Sequence, residues 1–465
     1  MSSTAATVRV ETIGASDPRI WRWAALAGGA TGVAYVLSPL SIVAVLMLAG
    51  VLSLAVRGLP ADERRRVLWL LGAAIALRVA AIAALFITAN PDAGSFGNFF
   101  GDEWFYLVRG LRLYAMWMGD AISLESFIYA YDKTGYTSYQ NVLVFLSILF
   151  GPAPYGIHMF NMAVFVAGTV LLYRVVRASY GTAAATLGLA YLLFLPSLFM
   201  WSVSALKESL YLFLTSVVLI ATLGIARARA VVTRVAALAL VIAAGWWLDT
   251  LRVGGEAITL GGAAVGYLWR LFTLRRAFIA AAAAVFVVGL AVVWQRGIPS
   301  RVQSRLQQSA RYHRGHVFTP GHSYKLLDQR FYSSAWAPLA EPTLTRTEAA
   351  RYLIRATFNF LAQPLPWRAE SKAELAYVPE QLVWYAALLL VPFGLAAGFK
   401  RDALLTCVLA GYTFVSAGVI ALNSGNIGTL VRHRALVAPY LGWISALGLV
   451  SLLTAARRSE RSRRS

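Results

Sequence analysis

The feature of this chain that most limits its fold is the recurrence of apolar runs long enough to cross a lipid bilayer. A helix of about 20 apolar residues spans a hydrocarbon core about 30 Å thick. The pattern predicts an all-α fold, a polytopic transmembrane helical bundle of about 11–13 spans. The runs are Ala24–Pro39, Leu40–Val56, Val67–Ile87, Tyr155–Tyr173, Ala184–Met200, Ser209–Ile225, Val235–Leu248, Ile258–Leu274, Phe278–Trp294, Leu382–Phe399, Leu404–Leu422 and Ala435–Thr454. The first two form either a hairpin or one long tilted helix.

Composition and charge agree with a membrane protein. Of the 465 residues 59% are hydrophobic and 14% are charged, whereas a soluble domain carries about a quarter charged residues. The net charge of +21 does not indicate nucleic acid as a partner, because the basic residues cluster in short connectors between apolar runs. Membrane lipids are the expected surroundings. The single cysteine, Cys407, lies in an apolar run and excludes a disulfide framework.

The basic residues fall in alternate connectors, which predicts the topology. If the N-terminus is cytoplasmic, the positive-inside rule places every connector that carries these basic residues, and the basic C-terminal tail, on the cytoplasmic side. The two long connectors, Thr88–Pro154 and Gln295–Gln381, are then outside. The inner basic residues are Arg57, Arg64–Arg66, Arg174, Arg177, Arg227, Arg229, Arg234, Arg270, Arg275, Arg276, Lys400, Arg401 and the tail arginines from Arg457 onward.

This topology suggests four regions. Residues 1–65 form a cytoplasmic segment and apolar hairpin, and residues 66–297 form a transmembrane core with its first outer loop at 88–154. Residues 298–380 form an outer loop whose spaced apolar side chains predict amphipathic helices at the membrane interface. Residues 381–465 form C-terminal transmembrane helices and a basic tail. Any chemistry is expected in the outer loops, because the inner connectors are short.

The first outer loop holds the adjacent carboxylates Asp102 and Glu103, followed by Tyr106. Beside apolar aromatic residues, one of these carboxylates can act as a general base. The alternative is that a carboxylate simply caps the helix that starts here.

Lys207 and Glu208 lie where the chain re-enters the membrane after the outer turn that begins at Pro196. A lysine in this place can bind a phosphate as a point charge, or it can be an interfacial lysine that snorkels. Glu208 is costly at the head of a membrane helix and is therefore expected to face the bundle interior.

The basic triplet Arg432, His433 and Arg434 stands in the last outer loop, where the positive-inside rule disfavours it. Arginine here suggests a bound anion, since the planar guanidinium fits phosphate or carboxylate. Contact with lipid headgroups is the alternative.

No metal site is predicted. The histidines His313, His316 and His322 are loosely spaced and lack an evident set of carboxylate partners, so a divalent metal has no support. Arg78 lies within an apolar run and requires a partner that the sequence does not identify.

Together these residues resemble the GT-C class of membrane glycosyltransferases, which includes protein O-mannosyltransferases and the aminoarabinose transferases of lipid A. The resemblance spans about residues 66–230. It is carried by Asp102-Glu103-x-x-Tyr106, by Gly151-Pro152-x-Pro154-Tyr155 with Asn161, Tyr173-Arg174 and Gly181, and by Pro196, Trp201-Ser202 and Lys207-Glu208, with a weaker echo at Arg432–Arg434.

The resemblance implies an inverting transferase that uses a polyprenyl-phosphate sugar donor on the non-cytoplasmic face of a bacterial inner membrane. It implies Asp102 as the base, with Glu103 as second choice, and Lys207, Arg432 and Arg434 as ligands of the donor phosphate. The acceptor would be an envelope glycan, lipid or protein. Two other functions remain open: a polysaccharide polymerase or ligase that uses polyprenyl-pyrophosphate glycans, and a transporter or flippase for lipid-linked sugars.

Overall fold

The apolar runs fold into helices. A computed structural model describes residues 18–89, 101–132, 137–274, 300–319, 321–332, 343–369 and 371–464. Within these residues the secondary structure is helical apart from one isolated β-bridge between Ser323 and Asn426. The helices are α1 Pro18–Leu37, α2 Pro39–Val56, α3 Ala61–Thr88, α4 Gly101–Trp117, α5 Leu124–Tyr131, α6 Ser138–Phe150, α7 Pro154–Tyr180, α8 Thr182–Phe194, α9 Pro196–Ser202, α10 Glu208–Arg227, α11 Val231–Leu251, α12 Gly255–Leu274, α13 Ser300–Val317, α14 Arg346–Ala362, α15 Lys372–Asn423, α16 Ile427–Arg434 and α17 Ala438–Arg464.

The predicted fold class, an all-α polytopic bundle, is confirmed. Seven helices of the described chain are long and apolar enough to cross a bilayer, namely α2, α3, α7, α10, α11, α15 and α17. The pair α8 and α9, bent by 63°, makes an eighth candidate. The sequence predicted more spans, about 11–13. Two of the other expected runs form helices, α1 and α12, which are not among the seven, and the run Phe278–Trp294 lies outside the described residues.

Two breaks and one continuous helix settle helix boundaries that the apolar runs left open. Ser38 is extended between α1 and α2, which therefore form two packed helices. Asp402 has non-helical backbone angles and kinks α15 where two separate apolar runs were expected. The glycine-rich run after Gly255, by contrast, is one continuous helix.

Small residues let α12 and α15 approach closely. A Cβ added to Gly262 would lie 2.6 Å from Tyr412 Cα, and one added to Gly266 would lie 2.4 Å from the carbonyl oxygen of Cys407. Glycine spacing of this kind is a common way for membrane helices to gain van der Waals contact, because apolar side chains gain little by leaving lipid for protein. The α12–α15 contact therefore depends on these glycines.

The break between α8 and α9 is stabilised by two charged side chains from other helices. In a continuous helix the Ser197 N–H would donate to the Leu193 carbonyl. Here Ser197 N donates instead to Glu380 Oε2 (2.7 Å), and the Leu193 carbonyl accepts from Arg78 Nη2 (2.9 Å). Arg78 also donates to Ser202 Oγ at 2.7 Å. The buried Arg78 thus satisfies the backbone of a broken helix, as an unpaired carbonyl in lipid would be costly.

Contacts between connectors show which of them share an end of the bundle. Arg177 donates to Glu63 at 2.6 and 2.7 Å, and Arg174 donates to the Arg57 carbonyl at 2.6 Å. Arg227 pairs with Asp402 at the kink of α15. We call this end the basic end. The N-termini of α4 and α10, the C-terminus of α11 and helix α16 lie at the opposite end, which we call the site end.

Candidate functional site

The site end is organised around the turn Val203–Lys207, which joins α9 to α10. Asn161 of α7 donates from Nδ2 to the carbonyl oxygens of Ser204 (2.8 Å) and Leu206 (3.0 Å). The Ala205 N–H donates to Glu103 Oε2 at 2.8 Å. The turn is therefore held from α7 and from α4, and it presents Lys207 and Glu208 at the start of α10.

Asp102 and Glu103 begin α4 and have different surroundings. Glu103 is fully buried against the turn, with its Oε2 also 3.7 Å from His158 Nε2. The side chain of Asp102 is 57% exposed and forms an ion pair with Arg432. Successive helical residues point about 100° apart, so adjacent carboxylates can serve separate purposes. Asp102 faces the site, and Glu103 supports the turn behind it.

Helix α16 brings Arg432 to the site and is anchored by α13 and by the segment that follows α13. Asn426 caps the helix, its side chain accepting from Gly428 N at 2.8 Å. The buried His313 of α13 contacts the Ser424 carbonyl through Nδ1 (2.8 Å), and the Ile427 N–H donates to the His322 carbonyl (2.9 Å). Burial lowers the pKa of His313 to about 4, so its ring is neutral near pH 7. These contacts fix the start of α16 and hence the direction of Arg432.

Arg432 lies between two carboxylates. Its Nε and Nη2 donate to Glu208 Oε1 at 2.9 and 2.8 Å, and its Nη1 donates to Asp102 Oδ2. The guanidinium carbon lies 5.4 Å from the ring centre of Trp201. Burial alone would lower the pKa of Arg432, but Glu208 and Asp102 raise it above its ordinary value. The arginine is therefore a permanent cation of the site.

Two further cations complete what we call the cation cluster, formed by Lys207, Arg252 and Arg432. Arg252 Nη2 lies 3.4 Å from Glu208 Oε1. Lys207 is buried, with Nζ 5.6 Å from the ring centre of Tyr106, and it forms no ion pair with any residue of the described chain. Burial, and then the charge of Arg252, lowers the pKa of Lys207 to about 7.

Tyr106 and His433 line the same space without adding charge. Burial and the neighbouring Glu208 raise the pKa of Tyr106 to about 12, so its phenol stays protonated. Burial, followed by Arg252 and Arg432, holds the pKa of His433 well below its ordinary value. The charged groups that act on Lys207 are the cations Arg252 and Arg432 and the carboxylates Glu208 and Asp102. Among these described groups, one positive charge is uncompensated when Lys207 is protonated.

Arg434, expected to bind the same anion as Arg432, is directed elsewhere. Its guanidinium is buried and donates to Gln381 Oε1 (2.9 Å) and to the Phe360 carbonyl. It also lies between the rings of Phe360 and Trp384, at 5.5 and 5.0 Å from their centres. Residues two apart in a helix point about 200° apart. The structure therefore places Arg434 in the packing of α14 and α15 rather than in the cation cluster.

The site contains one residue that sequence reasoning missed. Arg252 follows α11 in a connector expected on the outer face, where arginine is disfavoured. The reasoning applied to Arg432 would have singled it out. The described residues include no group of three or more His, Cys, Asp or Glu side chains arranged to hold a metal ion.

The geometry permits two chemical operations at adjacent positions. The cation cluster can bind a phosphate, and Asp102 can accept a proton from a hydroxyl group brought beside that phosphate. In comparisons with known proteins, the chain matches no family model, no curated protein and no solved structure.

Proposed function

We propose that the chain is a membrane glycosyltransferase. It would move a sugar from a polyprenyl-phosphate donor to an acceptor on the non-cytoplasmic face of a bacterial inner membrane. The observation that carries this proposal is the convergence of Asp102 with the cation cluster, whose members come from three distant segments of the chain.

The charge of the site suits a phosphodiester donor. Such a donor carries one negative charge, equal and opposite to the uncompensated charge of the site when Lys207 is protonated. In the reaction the bond from the anomeric carbon to the phosphate oxygen breaks, and the acceptor oxygen bonds to that carbon. The acceptor proton passes to Asp102, and the bond electrons leave with the phosphate, which becomes a dianion. Protonation of Asp102 removes one negative charge from the site as the phosphate gains one, so the balance is kept.

Fixed cations favour this reaction because negative charge develops on the leaving phosphate. Arg432 and Arg252 are held in place by Glu208, so they require little reorganisation. Burial removes competing water and strengthens these interactions. The positive-inside rule supports the proposed side of the membrane, since it assigns the basic end to the cytoplasm and therefore the site end to the outside.

A polymerase or ligase acting on polyprenyl-pyrophosphate glycans is less well matched. A pyrophosphate diester carries at least two negative charges, which exceeds the single uncompensated charge of the site. Such an enzyme also has no need of a carboxylate beside the phosphate site, where Asp102 stands.

A transporter of lipid-linked sugars is favoured by one observation, the bent pair α8 and α9, because carriers often bind substrate at broken helices. In this chain, however, Arg78 and Glu380 occupy two backbone groups freed at the break. The break therefore orients α9 and the turn that follows it, and it does not supply backbone groups for a ligand.

The proposal can be tested with purified protein in liposomes that contain a labelled polyprenyl-phosphate sugar. A crude envelope extract supplies the acceptor. We expect a labelled glycosidic product with wild-type protein and with Asp120→Asn, which removes an exposed carboxylate beyond the end of α4. Asp102→Asn should yield almost none. Translocation of the labelled lipid without any glycosidic product would overturn the proposal in favour of a transporter.

A further inference from the structure

The guanidinium of Arg432 contacts its two carboxylate partners through different nitrogens. Nε and Nη2 donate to Glu208, whereas Nη1 donates to Asp102. The side chain of Glu208 is 5% exposed and that of Asp102 is 57% exposed. The contact with Glu208 is therefore a fixed part of the bundle, and the contact with Asp102 is open to exchange with a ligand.

We infer that Asp102 and the donor phosphate compete for the Nη1 side of Arg432, so that donor binding releases the base. This inference rests on the proposed function. It makes Arg432 a positioning residue for Asp102 as well as a ligand of the phosphate, and it makes the donor the first substrate to bind.

The competition follows from the geometry of the site. Glu208 already occupies Nε and Nη2 of Arg432, so a phosphate that binds this guanidinium uses its Nη1 side, where Asp102 is bound. Phosphate oxygens and carboxylate oxygens require the same donors on a guanidinium. Nη1 carries two N–H groups, but two anions that share this nitrogen repel each other, and the repulsion favours the departure of Asp102 as the phosphate arrives.

Release changes what Asp102 can do. While it is paired, its Oδ2 accepts from Arg432. Once it is displaced, the same oxygen can accept a hydrogen bond from the hydroxyl group of an acceptor. Asp102 lies in the first turn of α4, which begins at Gly101. A small rotation of its side chain moves the carboxylate without disturbing Glu103, which remains hydrogen-bonded to the Ala205 N–H. The base would thus be engaged only when a donor is in place.

The test is the affinity for polyprenyl methyl phosphate, a lipid that carries no sugar and, like the donor, one negative charge, measured by equilibrium binding to the full chain in nanodiscs. Asp102→Asn removes the competing anion and is expected to bind this lipid about 2- to 5-fold more tightly than wild type, the range for a partly exposed ion pair. Asp120→Asn lowers the net negative charge equally and should bind as wild type does. Asp102→Ser serves as a second variant should the asparagine variant be unstable. A merely structural role for Asp102 would give a loss of affinity, never a gain.

The outcomes separate the two proposals. If wild type binds the lipid and both Asp102 variants bind it equally or more weakly, the inference is overturned and the proposed function stands. If Asp120→Asn also bound the lipid more tightly than wild type, the inference would be overturned as well, since the effect would then be one of net charge. If neither wild type nor any variant binds the lipid, the phosphate site itself is refuted, and both proposals fail.

Discussion

Asp102 and Glu103 are neighbours in sequence but differ in environment, since Asp102 pairs with Arg432 on the open side of α4 and Glu103 is buried against the Ala205 N–H. The resemblance to GT-C enzymes ranked them as first and second choice for the same catalytic role. In the structure the two residues have different surroundings, and substitution of each should therefore change turnover and stability differently.

We expect Asp102→Asn to lower turnover by about 10²- to 10⁴-fold, the usual contribution of a general base, with little change in thermal stability. Glu103→Ala, in contrast, should lower the stability of the protein. It leaves the Ala205 N–H unpaired in a buried place, which costs about 1–3 kcal/mol, and should lower the denaturation midpoint in detergent. Equal losses of stability in both variants would contradict the separation of roles.

Arg432 and Arg434 offer a second matched comparison. Arg432→Ala should abolish most binding of polyprenyl methyl phosphate, because it removes the cation shared by Asp102 and Glu208. Arg434→Ala should retain that binding but unfold at lower temperature, because the Phe360 carbonyl and Gln381 lose their buried donor at a cost of about 1–3 kcal/mol. Phosphate binding and thermal denaturation, measured on both variants, test this assignment. Loss of phosphate binding in folded Arg434→Ala would refute it.

The fold was largely predictable from sequence, and the site was only partly so. Apolar runs of bilayer length specify helices whatever their neighbours are, so the helical bundle followed from hydropathy alone. In the sequence the triplet Arg432–Arg434 is one basic patch. In helix α16, however, its two arginines point to opposite sides of the helix. The partner of Arg78 could not be predicted, because the carbonyl that it binds is freed by a break in a different helix.

Arg252 is a site residue that the positive-inside rule could have identified from the sequence. It lies in the cation cluster 3.4 Å from Glu208. We expect Arg252→Ala to weaken binding of polyprenyl methyl phosphate by about tenfold, a typical loss for one charge-assisted contact. Arg229→Ala provides the control, as this exposed arginine follows α10 at the basic end. If both substitutions weaken binding equally, the effect is one of overall charge and Arg252 has no local role.

Lys207 should make phosphate binding depend on pH. Its pKa in the free protein is lowered to about 7, so the lysine is charged below pH 7 and loses its proton as the pH rises above 7. A phosphate ligand needs the charged form, and its affinity should therefore fall by up to about tenfold per pH unit above 7. Polyprenyl methyl phosphate is the suitable probe, because its single charge does not titrate in this range. Lys207→Arg stays charged and should show a flat profile. A flat profile in wild type would contradict the assignment.

The contact between α12 and α15 can be tested with two adjacent glycines. A Cβ at Gly262 would lie 2.6 Å from Tyr412 Cα, a backbone atom that cannot move alone, whereas a Cβ at Gly261 would meet only a methyl group of Val415 at 4.0 Å. Gly262→Ala should therefore force the two helices apart and destabilise the protein by about 1–3 kcal/mol, the usual cost of overpacking. Gly261→Ala should be neutral or slightly stabilising, since alanine favours a helix over glycine. Thermal denaturation in detergent measures both, and equal midpoints for the two variants would show that α12 and α15 do not meet at Gly262.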